Sequence, residues 1–429
     1  MPSHPDIGAT SGVGWLLSTP RLTLTSPGGD ALPVQAGAGQ FTALAEAAES
    51  ALRQSPAGTA VVGALPFDEA APAHLWLTRM EHHRHSPAER AAFVGSLSYA
   101  EAVPDGHEPN AWHSAWLTTP KPEPQPSAYR AAVRAVLAEI EAGTISKAVL
   151  ARSLYAPLNA VGNAADQRAL VPALITALAR RETAARLFAV TLPTTGLHGP
   201  PPMLLGATPE TLLRRTGDLL TLRPLAGTAA RHQDPVVDHA RAMALLRSGK
   251  DQAEHRHVVD DLGRRLRPWC QSLDIPARPR LHATGRLWHL TTPIHARLRH
   301  PAPSALTLAC ALHPTPAVCG TPTPAAAALI RTLEAVPRRY FSGLVGWMDK
   351  TGDGHWVISL RCGELDADGL RLHAGAGIVR ASRPESELAE TEAKFATMLA
   401  ALEDARRSTR RARPTAAAAL AARRTGGIR

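Results

Sequence analysis

The order of apolar runs along this chain restricts its fold more than any other feature. Short β-like runs fall at 145–154, 186–192, 203–206, 211–215, 219–222, 286–290, 343–348, 355–361 and 370–379, identified by alternation and by β-branched or aromatic enrichment. Helical stripes fall at 168–181, 236–266, 323–335 and 386–407. Long helices do not alternate with single strands, so a doubly wound parallel sheet is not expected. The pattern predicts an α+β protein with antiparallel sheets. Residues 1–120 mix short apolar runs with Pro and Gly, look β-rich and carry no chemical signature. Lys121-Pro122-Glu123-Pro124-Gln125-Pro126 reads as a boundary. Ser127 is placed to cap a helix with the stripe Val133, Val136, Leu137 and Ile140, and Gly143 to end it. No internal repeat is present.

Composition narrows the class. The 429 residues, 45% of them hydrophobic, suffice for a large core. No apolar run reaches the roughly 18 residues of a membrane span, and the N-terminus lacks the charged-then-apolar order of a signal peptide. A cytoplasmic protein is expected. Four cysteines without CxxC spacing predict buried, reduced thiols. The net charge is +10, and eight arginines after Asp404, with no acid among them, account for most of it. Residues 406–429 therefore read as a solvated, disordered Arg/Ala-rich tail rather than a nucleic-acid-binding arm.

The densest chemistry lies near the C-terminus. The glycine-rich run Ala374-Gly375-Ala376-Gly377-Ile378-Val379 precedes a helix on which Glu387, Glu390 and Lys394 share a face. Paired carboxylates there call for a cation, and bare backbone N–H groups before them call for an anion. Asp251 and Glu254 form a second pair at helical spacing, and the two pairs could enclose one Mg²⁺. Lys147 sits within an apolar strand face, where it either snorkels to the sheet edge or is desolvated into a general base. Glu210, in the turn Gly206-Ala207-Thr208-Pro209-Glu210, is either an exposed turn residue or an acid. The loop from Arg223 to Arg231 and the strand-end Arg361 are open to anions. No P-loop, GxGxxG, HExxH or GxSxG is present.

In chain order these segments resemble the chorismate-utilising enzymes. That family includes isochorismate synthase, salicylate synthase, anthranilate synthase component I and aminodeoxychorismate synthase component I. The resemblance rests on Lys147-Ala148-Val149-Leu150-Ala151-Arg152, Thr208-Pro209-Glu210, Pro224-Leu225-Ala226-Gly227-Thr228 and Lys250-Asp251 through Glu254-His255. It continues through His289-Leu290, His313-Pro314-Thr315-Pro316-Ala317-Val318, Tyr340-Phe341-Ser342-Gly343, Ile358 to Cys362 and Ala374 to Lys394. It covers roughly 127–404 as a catalytic domain, with 1–120 as a variable N-terminal part of the same fold.

The resemblance implies the anthranilate synthase component I-like fold, with antiparallel sheets packed in a sandwich and helices outside. Lys147 and the His313–Val318 motif look like the isochorismate synthase form. The implied activity is Mg²⁺-dependent isomerisation of chorismate to isochorismate in a monomeric enzyme, feeding siderophore, menaquinone or another secondary product. Salicylate synthase is the alternative, and an aminating enzyme lies further off. Lys147 is implied as base and Glu210 as acid. Glu254 and Glu390 are implied as metal ligands, with Asp251 and Glu387 in support. Arg361, Lys394, Tyr340, Gly375 and Gly377 are expected to hold carboxylates, and Gly227 and Thr228 to steer a hydroxyl. Ala317, Val318, Phe341 and Leu360 are expected to line the wall. His289 and His373 complete the substrate set, His373 standing where an aromatic is common. Thr208 replaces a more usual serine.

Overall fold

The structure, a computed structural model, describes residues 12–32, 37, 39–97, 118–157, 164–193 and 201–411. Two large antiparallel sheets face each other. The larger runs Gly320–Thr321, Lys147–Pro157, Gly369–Ile378, Cys362–Leu365, Met203–Thr208, Arg186–Thr191, Trp15–Ser18, Leu22–Ser26 and Glu81–Arg84, with Lys121–Glu123 also paired to Lys147–Pro157. The second runs Cys270–Asp274, Ile294–Leu298, Leu219–Arg223, Thr211–Thr216, Gly354–Ile358, Leu344–Asp349, Thr59–Leu65, His74–Arg79 and Asp30–Ala31. A small sheet of Leu225–Ala230, Leu287–Thr291 and Arg280–Ala283 stands apart.

Burial explains this layering. Trp15, Leu17, Leu24, Phe188 and Val190 of the larger sheet meet Val62, Ala64, Trp76, Val345 and Val357 of the second in one apolar layer. Helices cover the outer faces. Ala164–Arg181 and Pro384–Arg411 pack on the larger sheet through Leu174, Leu178, Phe395 and Leu402. Gln40–Gln54, Gly249–Leu266 and Ala305–Leu312 pack on the second through Phe41, Leu44, Val258 and Leu308. The expected sandwich with helices outside is what is found. Strands from residues 12–97 join both sheets, Trp15–Ser18 beside Arg186–Thr191 and Thr59–Leu65 beside Leu344–Asp349.

Local details differ from the sequence-based expectations. The expected helix 236–266 is two helices, Pro235–Arg247 and Gly249–Leu266. Ser248 is extended between them, and its hydroxyl accepts from the Asp251 N–H, which caps the second helix. Ser127 does not cap its helix, because Gln125 takes the cap position and Pro126 starts the first turn. The strand expected to reach Arg361 ends at Ile358. The last helix continues to Arg411, so residues 406–411 are not part of a disordered tail. Glu403 pairs with Arg407 at i,i+4, and Asp404 anchors the helix to Arg181 at 2.6 Å. The tail beyond, 412–429, lies outside the described residues. Among the described residues no helix is long and apolar enough to cross a membrane.

Candidate active site

The chain crosses between the two sheets at two adjoining points, and a cavity opens there. Pro209 and Glu210 connect Met203–Thr208 of the larger sheet to Thr211–Thr216 of the second. Ser359–Arg361 return the chain from Gly354–Ile358 to Cys362–Leu365. The crossings are tied together: the Ile358 N–H donates to the Glu210 carbonyl at 3.2 Å, and the Ala207 N–H to the Arg361 carbonyl at 3.1 Å. Arg361 adopts a φ of 48°, rare for a side-chain-bearing residue. This turn delivers its guanidinium to the cavity instead of to a sheet face.

The cavity opens to solvent and mixes charged, polar and apolar groups in its lining. Of the residues expected from sequence, Glu210, Gly227, Thr228, Glu254, His289, Ala317, Val318, Phe341, Leu360, Arg361, His373, Gly375, Gly377 and Lys394 all line it. Val149, Pro209, Leu225, Ala226, Ser342 and Ala374 also line it and were not expected. Each lies within two positions of an expected residue, so motif adjacency was the available signal.

Tyr340 is a correction. Its hydroxyl donates to the Pro72 carbonyl at 2.9 Å and its ring joins the inter-sheet core, so it does not reach the cavity. Phe341 points the other way and stacks on His373, with centroids 5.1 Å apart and planes at 13°. Burial pulls the His373 imidazole down to about 3, so it is neutral, and its Nε2 has no hydrogen-bond partner among the described residues.

Glu210 is 3% exposed. Its Oε1 accepts from the Leu225 N–H at 3.2 Å. Burial pushes its carboxyl up to about 7, despite that N–H and the charges of Lys147, Lys394 and Arg361. It is a buried acid, not an exposed turn residue. Lys147 is fully buried on its strand and does not snorkel. Its Nζ lies 3.3 Å from Glu254 Oε1 and makes no well-formed hydrogen bond. Burial lowers its ammonium below the ordinary lysine value, with Glu254 opposing. It stands just behind the lining, past Gly377, where a Cβ would come within 2.0 Å of Glu254 Oε1 and 3.2 Å of Lys147 Cε. Glycine is what lets that carboxylate reach the lysine.

Arg361 Nη2 donates to His289 Nε2 at 2.6 Å. A guanidinium only donates, so Nε2 accepts and the proton is on Nδ1, 3.3 Å from Thr228 Oγ1. Burial, then Arg361, holds His289 neutral, well below its usual value. Gly227, at φ 75°, makes the bulge that turns Thr228 toward His289, and a Cβ there would fall 2.9 Å from Asp251 Cβ. Beyond Leu372 the strand Gly369–Ile378 keeps a partner on one side only, so its other edge faces the cavity.

The four acids expected around a metal sit on the facing helices Gly249–Leu266 and Pro384–Arg411. They do not close around one point. Among the described residues no three His, Cys, Asp or Glu side chains converge as for an ion. Lysines hold three of them instead: Lys147 beside Glu254, Lys250 on Glu387 at 2.7 Å and Lys394 on Glu390 at 2.8 Å. Lys394 Nζ also donates to the Gly375 carbonyl at 2.7 Å. The sequence reading gave Lys250 no role, although it is the bridge between the helices. Burial raises the Glu387 carboxyl, and neighbouring Glu390 raises it further. Asp251 is raised by burial, then by Glu254 and Glu390. Glu387 Oε2 is buried with no partner among the described residues.

Residues 37–403 match the family model described as chorismate binding enzyme. The chain is 38% identical over 395 residues to isochorismate synthase DhbC of Bacillus subtilis, covering 91% of this chain and 94% of that one. The solved structure of DhbC from Bacillus anthracis superposes with a TM-score of 0.77 at 34% identity, covering 92% of this chain and 97% of that one. Anthranilate synthase component I from Streptococcus pneumoniae shares the fold at a TM-score of 0.63 and 20% identity, covering 93% of each chain. The protein therefore belongs to the chorismate binding enzyme family.

Proposed function

We propose that this chain is an isochorismate synthase, an isomerase of the hydroxymutase type acting as a cytoplasmic monomer. Water adds at ring carbon 2 of chorismate and the carbon 4 hydroxyl departs. One observation carries the reading: a buried lysine and a buried glutamate at one cavity have their proton affinities moved toward each other. Similarity to DhbC of Bacillus subtilis, named isochorismate synthase, supports it. Four free cysteines suit a reducing compartment.

Arg361 and Lys394 bring positive charge to the cavity, and the free strand edge beside Gly375 and Gly377 adds N–H donors. These groups bind and orient the two carboxylates of the substrate. Neutral Lys147 takes one proton from water as its oxygen bonds to carbon 2. Glu210, protonated near neutrality, gives its proton to the carbon 4 hydroxyl, which leaves as water while both ring double bonds shift. Thr228 and His289, already hydrogen-bonded, offer polar contacts to a hydroxyl.

The acids fit Mg²⁺ in donor chemistry: hard carboxylate oxygens, with Glu387 and Asp251 raised by burial and by neighbouring carboxylates, and Glu387 Oε2 orphaned. Glu254 and Glu390 would hold it, with Asp251 and Glu387 in support. When bound, the ion supplies charge that neutralises a substrate carboxylate and engages Glu254. Chromatography of chorismate incubated with the protein and Mg²⁺ tests the reading. Isochorismate supports it, salicylate without an added lyase indicates the salicylate synthase reaction, and anthranilate formed from ammonia with no isochorismate rejects it.

A further inference from the structure

The apolar layer between the sheets ends in a cationic cleft. Strand pairing sets His295, Thr221, Arg214, His355 and Trp347 in one row across the second sheet, each opposite the next. Arg223, two residues along from Thr221, lies on the same side of its strand. The larger sheet answers with Arg186 and with Leu17, Leu22 and Leu24.

No aspartate or glutamate lines this cleft among the described residues. Arg215, facing away, is paired with Asp353 at 3.5 Å, whereas Arg186, Arg214 and Arg223 form no ion pair among the described residues. Two buried donors in the lining, Arg186 Nε and Trp347 Nε1, also have no hydrogen-bond partner there. Burial, then Arg223 and Arg214, pulls the Arg186 guanidinium below its usual value. Converging like charges and orphaned donors both disfavour the cleft as it stands. An anion relieves both.

We propose that this cleft is a second binding site, for a small organic polyanion. Three guanidinium groups call for more than one acidic group, as in a di- or tricarboxylate or a phosphate ester. Leu17, Leu22, Leu24 and the Trp347 ring offer that ligand's carbon frame an apolar wall. The site is separate from the catalytic cavity, because the two linings share no residue. The chain joins them nonetheless: Glu210 lines the cavity and Thr211 the cleft, and Arg223 lies two residues before Leu225, whose N–H binds Glu210. The proposal does not depend on the reaction catalysed.

Thermal unfolding of the full chain tests it, with citrate or pyrophosphate added at constant ionic strength against a sodium chloride reference. At least one probe is expected to raise Tm by about 2–4 °C; citrate marks a carboxylate site and pyrophosphate a phosphate site. The shift must vanish in the Arg214→Gln/Arg223→Gln variant. It must persist in Arg361→Gln, which alters the catalytic cavity. Should the double variant not fold, Arg223→Gln alone, at an exposed position, must lose most of the shift. No shift in the parent, or equal shifts with and without the arginines, overturns the proposal.

Discussion

Glu254 Oε1 stands 3.3 Å from the Lys147 ammonium, so the candidate base rests against a candidate metal ligand. While that carboxylate is the partner of Lys147, it favours the protonated amine. Engaging Glu254 elsewhere lets burial lower the lysine further. The metal and base roles are thus linked through one side chain.

Lys147→Ala removes the base and leaves Glu254, 6% exposed, without its nearest cation. Isochorismate formation is expected to fall by at least about 10²–10⁴-fold, the usual worth of a general base. Timed product chromatography measures it, and retention of half the parent rate would exclude Lys147 as the base.

Glu210 carries a pH signature in both stability and activity. Its folded-state value of about 7 lies above the ordinary 4.5. The stability tied to its protonated form is complete below 4.5 and is lost as pH rises through about 7. Glu210→Gln is therefore expected to be more stable than the parent at pH 8, by roughly 3 kcal/mol at 1.36 kcal/mol per pH unit, and not at pH 4. Urea unfolding at the two pH values checks this. The same proton makes kcat/KM of the parent decline above about 7, while the variant is expected to be inactive.

Gly377→Ala places a methyl carbon within 2.0 Å of Glu254 Oε1 unless something shifts. The carboxylate is the movable partner, so its contact with Lys147 is lost. The expected result is at least a tenfold rise in the Mg²⁺ concentration needed for half-maximal rate. A metal titration of activity decides, and an unchanged midpoint would detach Glu254 from the metal.

Lys250→Met leaves Glu387, fully buried, without its 2.7 Å partner. Because Lys250 is a quarter exposed, a loss of about 2 kcal/mol is expected, below the range for a wholly buried pair. Mg²⁺ is expected to recover more stability in this variant than in the parent, measured as Tm with and without the ion. Equal recovery would place the ion away from Glu387.

The layered architecture was legible because strands and helices keep different apolar periods, and Leu174, Phe395 and Val258 mark the helix faces that cover the sheets. Most of the cavity was legible because its residues sit in compact motifs at strand ends, as Glu210 and Arg361 do. What was not legible depended on distance in sequence. The Lys250–Glu387 pair spans 137 residues, and no local spacing announces it. The Tyr340 hydroxyl is taken by the carbonyl of Pro72, 268 residues away, which a motif cannot show. Ser248 broke an expected helix because its hydroxyl capped a new one, a local competition that periodicity does not weigh. The three arginines of the inter-sheet cleft come from three strands and form no motif.

Isotope labelling in heavy-oxygen water tests the central claim most directly. Chorismate and Mg²⁺ are incubated with the protein in ¹⁸O-water, and the isochorismate is isolated for mass spectrometry. Water activated by Lys147 must leave one heavy oxygen in each product molecule, at the carbon 2 hydroxyl. Isochorismate carrying only the light oxygens of the substrate would mean that the hydroxyl migrates without solvent water, contradicting the roles given to Lys147 and Glu210.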